Sequence, residues 1–556
     1  MKFLTTGYVC LALSLGLVTR ALAQDEIRSV DPSAVRRRQE QIEEYYERSQ
    51  EEQLQSEQEK ELIIEKQPVP EEELPSEQQA VLIERIEMNS SELLTLDDLR
   101  SIIDQYEGRK LTIHELKKMT GEINDLYRDK GYITARAILP PQKISDGIVD
   151  VRLIEGRIGD ISLEGNASTR DTFILSRLPI QEGGFLNARE LENALESFNS
   201  IYDISVKVEL KPGQTFGTTD CVIRVQEPLR HRLTAFTDNA GREDIGLYRL
   251  GALAADNSVF GVRDRLTLGV IGAEGTVSGS IAYDFPVNKK GTRLGASYDW
   301  NQIEVISGPF ETLQIDGDSS AVGAYVNHPF VGRADLKIAG FFRYDRKETS
   351  TKFSDVTLVE TEVNSLGYGA DMQRIDAQGL WYARAGFTNA FSETQDDDAF
   401  FRANADLSRY QIVNQDLAAI FRISGQLSAN DILPSSEQFQ IGGLSTVRGY
   451  DEGLLIGENG YFLSAELNFP LFNQGHQWRD KIKGAVFVDH GGIFPYKPED
   501  SAATNENDFI TGAGAGLIIN ISKRFSGRVV AAFPLDDPDD AGDNFKIHFY
   551  FQSILF

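Results

Sequence analysis

Beyond its opening stretch, the chain has no run of about 18 consecutive apolar residues, so no later segment is suited to cross a bilayer as a helix. It holds only two cysteines, Cys10 and Cys221. Cys10 lies in the opening stretch and Cys221 stands alone beyond it, which excludes a disulfide framework in the mature protein. The six histidines are scattered, with no H-E-x-x-H pair, and there is no C-x-x-C. A G-x-S-x-G elbow is absent too, which removes the usual hydrolase arrangement. Positive charge is in deficit: the formal net charge is −29, which argues against nucleic acid as a partner. No cofactor or metal is expected, and the chain is not expected to be an enzyme. The glycine string Gly512-Ala513-Gly514-Ala515-Gly516 continues into the strand-like Leu517–Ile521, so it reads as a barrel strand rather than a nucleotide loop. The acidic cluster Asp536–Asp543 lacks a calcium-loop register and reads as a surface loop, as does Glu393–Asp398.

What is present begins with an export signal. Lys2, the mostly apolar Phe3–Val18 and the small-x-small Ala21-Leu22-Ala23 predict a signal peptide over residues 1–23, leaving Gln24 as the mature N-terminus. Residues 24–66 are dense in Glu, Gln and Arg, and from about Ser33 to Lys66 they read as a polar helix with charge pairs such as Glu44–Arg48. The helix has little apolar face, so it does not belong in a packed core. Gln67-Pro68-Val69-Pro70 breaks it, and residues 67–79 read as a linker.

Residues 80–157 and 158–228 repeat one order of elements, β-α-α-β-β. In the first unit, Thr95 with Asp98 and Thr112 with Glu115 have capping-box spacing, and Leu116, Met119, Ile123, Leu126 and Tyr127 line one face of the second helix. In the second unit, Asn187 with Glu190 three residues on opens the second helix. A repeat at this period predicts small modules in series.

After Pro228 helical periodicity stops. Tyr461, Leu463, Ala465, Leu467 and Phe469 alternate with Phe462, Ser464, Glu466 and Asn468; Phe545, Ile547, Phe549 and Phe551 alternate with Lys546, His548, Tyr550 and Gln552. Strands with one face in lipid and the other in a polar lumen alternate in this way. A soluble sandwich alternates too, but the export signal, the aromatic-rich strands and the terminal Phe556 select a transmembrane antiparallel β-barrel over residues 229–556. At roughly 20 residues per strand and connection it should have about 16 strands. Phe556 falls out of phase with the outward positions of the last strand, which a bulge near Ser553 would reconcile.

Two motifs carry the functional reading: Val447-Arg448-Gly449-Tyr450, and Phe487-Val488-Asp489-His490-Gly491. With them the chain resembles the outer-membrane transporters of two-partner secretion, the TpsB (FhaC/ShlB-like) family, within the BamA-type superfamily. The first motif is similar to the V-R-G-Y/F tip of the family's long loop that folds back into the barrel. The second, through Phe487, Asp489 and Gly491, is similar to its inner-wall F/G-x-D-x-G motif. Arg136–Gln142 with Asp146-Gly147 and Glu155-Gly156-Arg157 resembles the family's first POTRA domain, and the second β-α-α-β-β unit its second. Asp238-Asn239-Ala240-Gly241 resembles its first barrel strand and His328-Pro329-Phe330 an internal one.

The resemblance implies a function: ATP-independent passage of an unfolded exoprotein (TpsA-like) to the cell surface, driven by folding of that client outside. It also implies POTRA domains in the periplasm that recognise the exoprotein, a polar helix able to plug the pore, outer-membrane lipid around the barrel, and barrel-assembly machinery for its own insertion. Arg448 and Asp489 are expected to link loop tip to wall in a positioning or gating role. A three-stranded sheet with an exposed edge suits capture of an extended client by strand addition. A general barrel-assembly factor shares the superfamily motifs but typically carries more POTRA units; a passive porin needs none.

Overall fold

The computed structural model describes residues 31, 36–37, 80–144, 146–308, 311–353, 356–392, 399–429, 432–494, 508–536 and 544–556. The expected signal peptide, the linker, Glu393–Asp398, nearly all of Asp536–Asp543 and the expected polar helix apart from Asp31, Arg36 and Arg37 lie outside the described residues. Among the described residues the chain divides into two compact units, one built on residues 80–228 and one on the barrel residues with Asp31, Arg36 and Arg37.

The first unit holds both repeats. In the first, β1 (Val81–Ile83) and β2 (Arg85–Met88) precede α1 (Leu96–Ile103), β3 (Arg109–Leu111), α2 (Ile113–Asp129), β4 (Ala135–Ile138) and β5 (Ile148–Glu155). The sheet order is β2-β5-β4, while β1 and β3 form a separate small ladder. Both capping boxes close: Thr95 and Asp98 exchange backbone and side-chain hydrogen bonds, as do Thr112 and Glu115. Each box satisfies two donors that a helix start otherwise leaves unpaired. The apolar face of α2 then packs on the sheet, with Leu116, Met119, Ile123 and Tyr127 buried against Val149, Val151 and Leu153. The β-α-α-β-β order calls for one opening strand, but it is broken at Glu84, because the amides of Glu84 and Arg85 turn to the Gly147 carbonyl.

The second repeat comprises β6 (Arg157–Glu164), α3 (Asp171–Leu175), α4 (Ala188–Ile201), β7 (Ser205–Pro212) and β8 (Thr218–Gln226), with sheet order β6-β8-β7. Asn187 caps α4 by accepting from the amides of Arg189 and Glu190. Its own amide reaches back to the Lys130 carbonyl (3.2 Å), which ties the start of α4 to the end of α2. Cys221 is a free thiol fully buried in the core of this module.

Glu155, the last residue of β5, organises the first module. Its carboxylate accepts from the amides of Glu92 (2.8 Å) and Leu93 (3.3 Å), the Tyr127 hydroxyl (2.8 Å) and the Ser91 hydroxyl. Burial pushes its carboxyl up, but these four donors outweigh burial and hold it below the usual value. A depressed carboxyl stabilises the fold fully above the ordinary Glu range and loses that contribution as pH falls through the lowered value. The protection of residues 80–157 against hydrogen exchange in the full chain, taken relative to the intrinsic rate at each pH, should therefore fall as pH drops below the ordinary Glu range. Glu155→Gln should reproduce the lost protection at pH 7, at a cost of about 1 kcal/mol for a half-buried group that loses a charged acceptor. Unchanged protection in that variant would show the carboxylate to be dispensable.

The second unit is a closed antiparallel barrel of 16 strands, from His231–Asp238 to Lys546–Ile554. Side-chain alternation sorts its faces. Ile547 is half exposed outward while His548, Tyr550 and Gln552 are buried inward, and Leu463 and Leu467 point out where Ser464 and Glu466 point in. Exposed Val270, Val322, Phe342, Phe421, Val488 and Leu517 continue the outer apolar band on other strands, as a lipid-facing surface requires. The first and last strands close the barrel through the pairs from Tyr550↔Asp238 to Ile554↔Thr234.

The bulge expected near Ser553 is not there: pairing runs unbroken from Ala532↔Lys546 to Phe525↔Ser553. The strand ends at Ile554 instead, and Phe556 lies beyond it, where strand parity no longer applies; its carbonyl accepts from the amide of Leu233 (2.9 Å).

Candidate functional site

The strands Ala418–Ser428 and Asn459–Pro470 are neighbours in the barrel, yet residues 429–458 intervene between them. This loop is built on a short ladder, Phe439–Ile441 against Leu455–Gly457, and its tip lies on the inner wall. Val447 and Tyr450 pack with Phe439, Ile441, Phe462, Ile493 and Ile510 in a cluster that is part loop and part wall. Tyr450 places its hydroxyl 2.8 Å from the Thr511 carbonyl and accepts from the Asp536 amide. Gly449 adopts φ +105°, a left-handed value open to glycine, and passes the Phe533–Pro534 backbone so closely that an added Cβ would sit 3.1 Å from it. Its amide donates to His548 Nε2 (3.3 Å), and Lys546 pairs with Asp451.

At the centre is Arg448, 1 % exposed. Its Nε and Nη2 donate to the two oxygens of Asp489 (2.6 and 2.8 Å), a side-on bidentate pair, and its backbone amide adds a third bond to Asp489 (3.2 Å). Nη1 donates to Glu466 Oε2 at 2.7 Å. Ser464 donates to Asp489 Oδ1 (2.7 Å), and Arg528 neutralises the far side of Glu466. The guanidinium lies over the Phe487 ring, 3.4 Å from its centroid, so its flat face is packed while its edge donors are satisfied. Asp489 is fully buried and Glu466 nearly so. Charges this dry persist only when paired and hydrogen-bonded, and Arg448, Asp489 and Glu466 meet that condition.

The two motifs found in the sequence therefore meet. Phe487, Asp489 and Gly491 sit at alternate, lumen-facing positions of the strand Ile482–Phe494, which presents a platform, a carboxylate and a gap in turn. A Cβ on Gly491 would lie 3.0 Å from Ile441 Cδ1 and 3.2 Å from Val447 Cγ2, so the missing side chain is the space Val447 occupies. On the next strand, a Cβ on Gly512 would fall 1.9 Å from the Arg448 carbonyl. The glycine string is a barrel strand, as expected, and Gly512 within it is the floor of the seat.

Sequence reading missed Glu466 and Ser464 as partners of Arg448, although their polar phase on an otherwise apolar strand was the available signal. It also missed a second anchor at the loop's root. Glu437, fully buried, pairs with Lys347 (2.5 Å) and Arg402 (2.8 Å), while Gln426 donates to the carbonyls of Glu437 and Glu458. Arg37 joins this group by donating to the Ser436 carbonyl (3.1 Å) and Gln426 Oε1 (2.8 Å). Among the described residues no group of three or more acidic, histidine or cysteine side chains is placed to hold a metal.

Comparison with known proteins bears on this arrangement. The family model "Haemolysin secretion/activation protein ShlB/FhaC/HecB" matches residues 217–519, "POTRA domain, ShlB-type" matches 81–156, and a second POTRA model, "Surface antigen variable number repeat", matches 156–227. The heme/hemopexin transporter protein HuxB of Haemophilus influenzae (strain 86-028NP) is 27 % identical over 484 residues, covering 83 % of this chain and 84 % of HuxB. Among solved structures, CdiB from Escherichia coli superposes with a TM-score of 0.65 at 21 % identity over 95 % of this chain and 99 % of that one. BamA from Haemophilus ducreyi lacking POTRA domains 1–3 does so with 0.55 at 16 %, over 86 % and 100 %.

Proposed function

The chain belongs to the haemolysin secretion/activation protein family ShlB/FhaC/HecB, and from that membership we infer that it is the outer-membrane half of a two-partner secretion pair. It carries an unfolded exoprotein through the outer membrane to the cell surface, with its two POTRA domains in the periplasm and its 16-strand barrel in the bilayer. The observation that carries this reading is the buried Arg448 group. A passive pore gains nothing from a long loop held on its inner wall by a desolvated ion cluster, whereas a conduit for a chain must control the width and course of its lumen.

The finer reading has two parts. The POTRA domains take up the exoprotein by strand addition, where main-chain hydrogen bonds tolerate any sequence. Arg448 and Asp489 hold the loop where the passing chain meets it, in a positioning role without bond chemistry. The barrel reaches the membrane through the cell's barrel-assembly machinery. The test is co-expression with the large exported protein encoded beside it: that protein should appear in the medium only when this chain is present. Equal release without this chain would overturn the reading, and a general decline of other outer-membrane proteins on its loss would favour an assembly factor instead.

A further inference from the structure

Every backbone N–H and C=O at a sheet edge must find a partner or water, so the edges of the two POTRA sheets can be audited group by group. In the first module the central β5 is filled beyond its neighbours by side-chain amides. Asn89 exchanges two hydrogen bonds with the backbone of Leu153 (2.7 and 3.0 Å), and Gln142 does the same with Asp150 (2.8 and 2.6 Å). The outer edge of β4 is closed as well. Asn124, on α2, accepts from the Ala137 amide (2.6 Å) and donates to its carbonyl (3.3 Å), and the Ala135 amide donates to Tyr132. On β2 the Ile86 amide is taken by Glu107 (2.7 Å).

The second module repeats the device on one side only. Asn199, on α4, exchanges two bonds with Val206 of β7 (2.7 and 3.0 Å). The next outward groups of β7, at Val208 and Leu210, are flanked by the exposed Lys207 and Lys211 and by Pro212, residues that blunt an edge against pairing. At β6 there is no such guard. Ile158 is occupied by the backbone of Gly183 and Gly184. Past a register shift, Ile161 and Leu163 stand opposite Cys221 and Ile223 of the parallel β8. Those two β8 residues lie opposite Leu210 and Val208 in the antiparallel ladder, so they turn their backbone groups toward β6, and Ile161 and Leu163 turn theirs outward. Among the described residues neither makes a hydrogen bond on that side. Their side chains are half-buried, and Asp160, Ser162 and Glu164 between and around them are exposed.

We propose that an extended segment of the exported partner adds as a further strand to the outer edge of β6, pairing with Ile161 and Leu163. Asn124 closes β4 to it and Asn199 the start of β7, while on β2 Glu107 takes the Ile86 amide. The proposal rests on the strand-addition reading above. The edge offers two amides and two carbonyls, a short ladder suited to brief capture and onward release. Asp160 and Glu164 beside it disfavour acidic side chains at the facing positions, so the segment it takes is neutral or basic.

The test uses the full chain and the exported protein encoded beside it. Leu163→Pro removes one outward amide that the sheet does not use, and an edge strand tolerates proline there. Secretion should fall at least tenfold in this variant and stay within twofold of normal in Val208→Pro. A photo-crosslinker at Ser162 in the otherwise unaltered chain should capture the exported protein during transit, and one at Glu209 on β7 should not. The crosslink decides the matter even if the proline variant folds poorly. Capture at Glu209 with loss in Val208→Pro would overturn the choice of edge while leaving strand addition standing. Capture at neither edge, with both proline variants secreting normally, would overturn strand addition itself.

Discussion

Arg448→Ala should abolish export of the partner while leaving a folded barrel in the outer membrane. Without the guanidinium, Asp489 keeps only the Ser464 hydroxyl and the loop's own amide, and Glu466 keeps Arg528. One buried carboxylate is then uncompensated, and removing one partner of such a pair costs about 3–5 kcal/mol. At tenfold per 1.4 kcal/mol, that lowers the ratio of seated to unseated loop by roughly two to three and a half orders of magnitude. The cost falls on the loop and not on the barrel, because the inter-strand ladders of the strands that carry Asp489 and Glu466 do not depend on the loop. Arg448→Lys should recover little: a single ammonium cannot span both carboxylates and lie flat on Phe487. Asp489→Asn should be milder, since the asparagine side-chain oxygen still accepts one hydrogen bond and Arg448 keeps its pair with Glu466. The readouts are exported partner in the medium, heat-dependent electrophoretic mobility for the barrel, and protease cleavage within residues 442–454 for the loop. Normal export with a cleavable loop would sever the link between seating and transport.

Much of this was legible from residue order alone, for reasons that can be stated residue by residue. The inward and outward phases of Tyr461–Phe469 and Phe545–Gln552 follow from the two-residue repeat of a strand, so burial follows the pattern directly. The boxes at Thr95 and Thr112 are local, involving residues three apart, and local chemistry survives folding. Arg448 and Asp489 were singled out by resemblance, and the structure brings them within hydrogen-bond reach. What could not be read depends on register between distant strands. Glu466 lies on the strand next to Asp489 and opposite Phe487, and only that pairing brings it under Arg448. Glu437 meets Lys347 and Arg402 from strands far away in the chain. The three-residue β3 is too short to show a period. The asparagines that close β4 and β7 look like ordinary polar positions on helices, and only the facing edge amide gives them meaning.

Gly512→Val tests the seat without touching a charge. The Cβ that valine adds would overlap the Arg448 carbonyl at 1.9 Å, and the obstacle is backbone, which cannot turn aside as a side-chain end can. Either the strand Asp508–Ser522 or the loop must move. The strand is held on both sides, by pairs with Ile482–Phe494 and with Phe525–Pro534, and valine favours the extended backbone. The loop yields instead, and with it the aligned hydrogen bonds from Arg448 to Asp489 and Glu466, which weaken steeply with displacement and bending. The variant should therefore lose export to nearly the extent of Arg448→Ala, with every ionisable group still present and the barrel as heat-resistant as before. Gly512→Ala should behave almost as badly, because the clash is at Cβ, which both residues share. The two lesions act on one seat, so Arg448→Ala combined with Gly512→Val should be no worse than either alone. Export by the glycine variants at the unaltered rate would mean that the loop can do its work a few ångströms from the wall, and that the buried ion cluster serves stability alone.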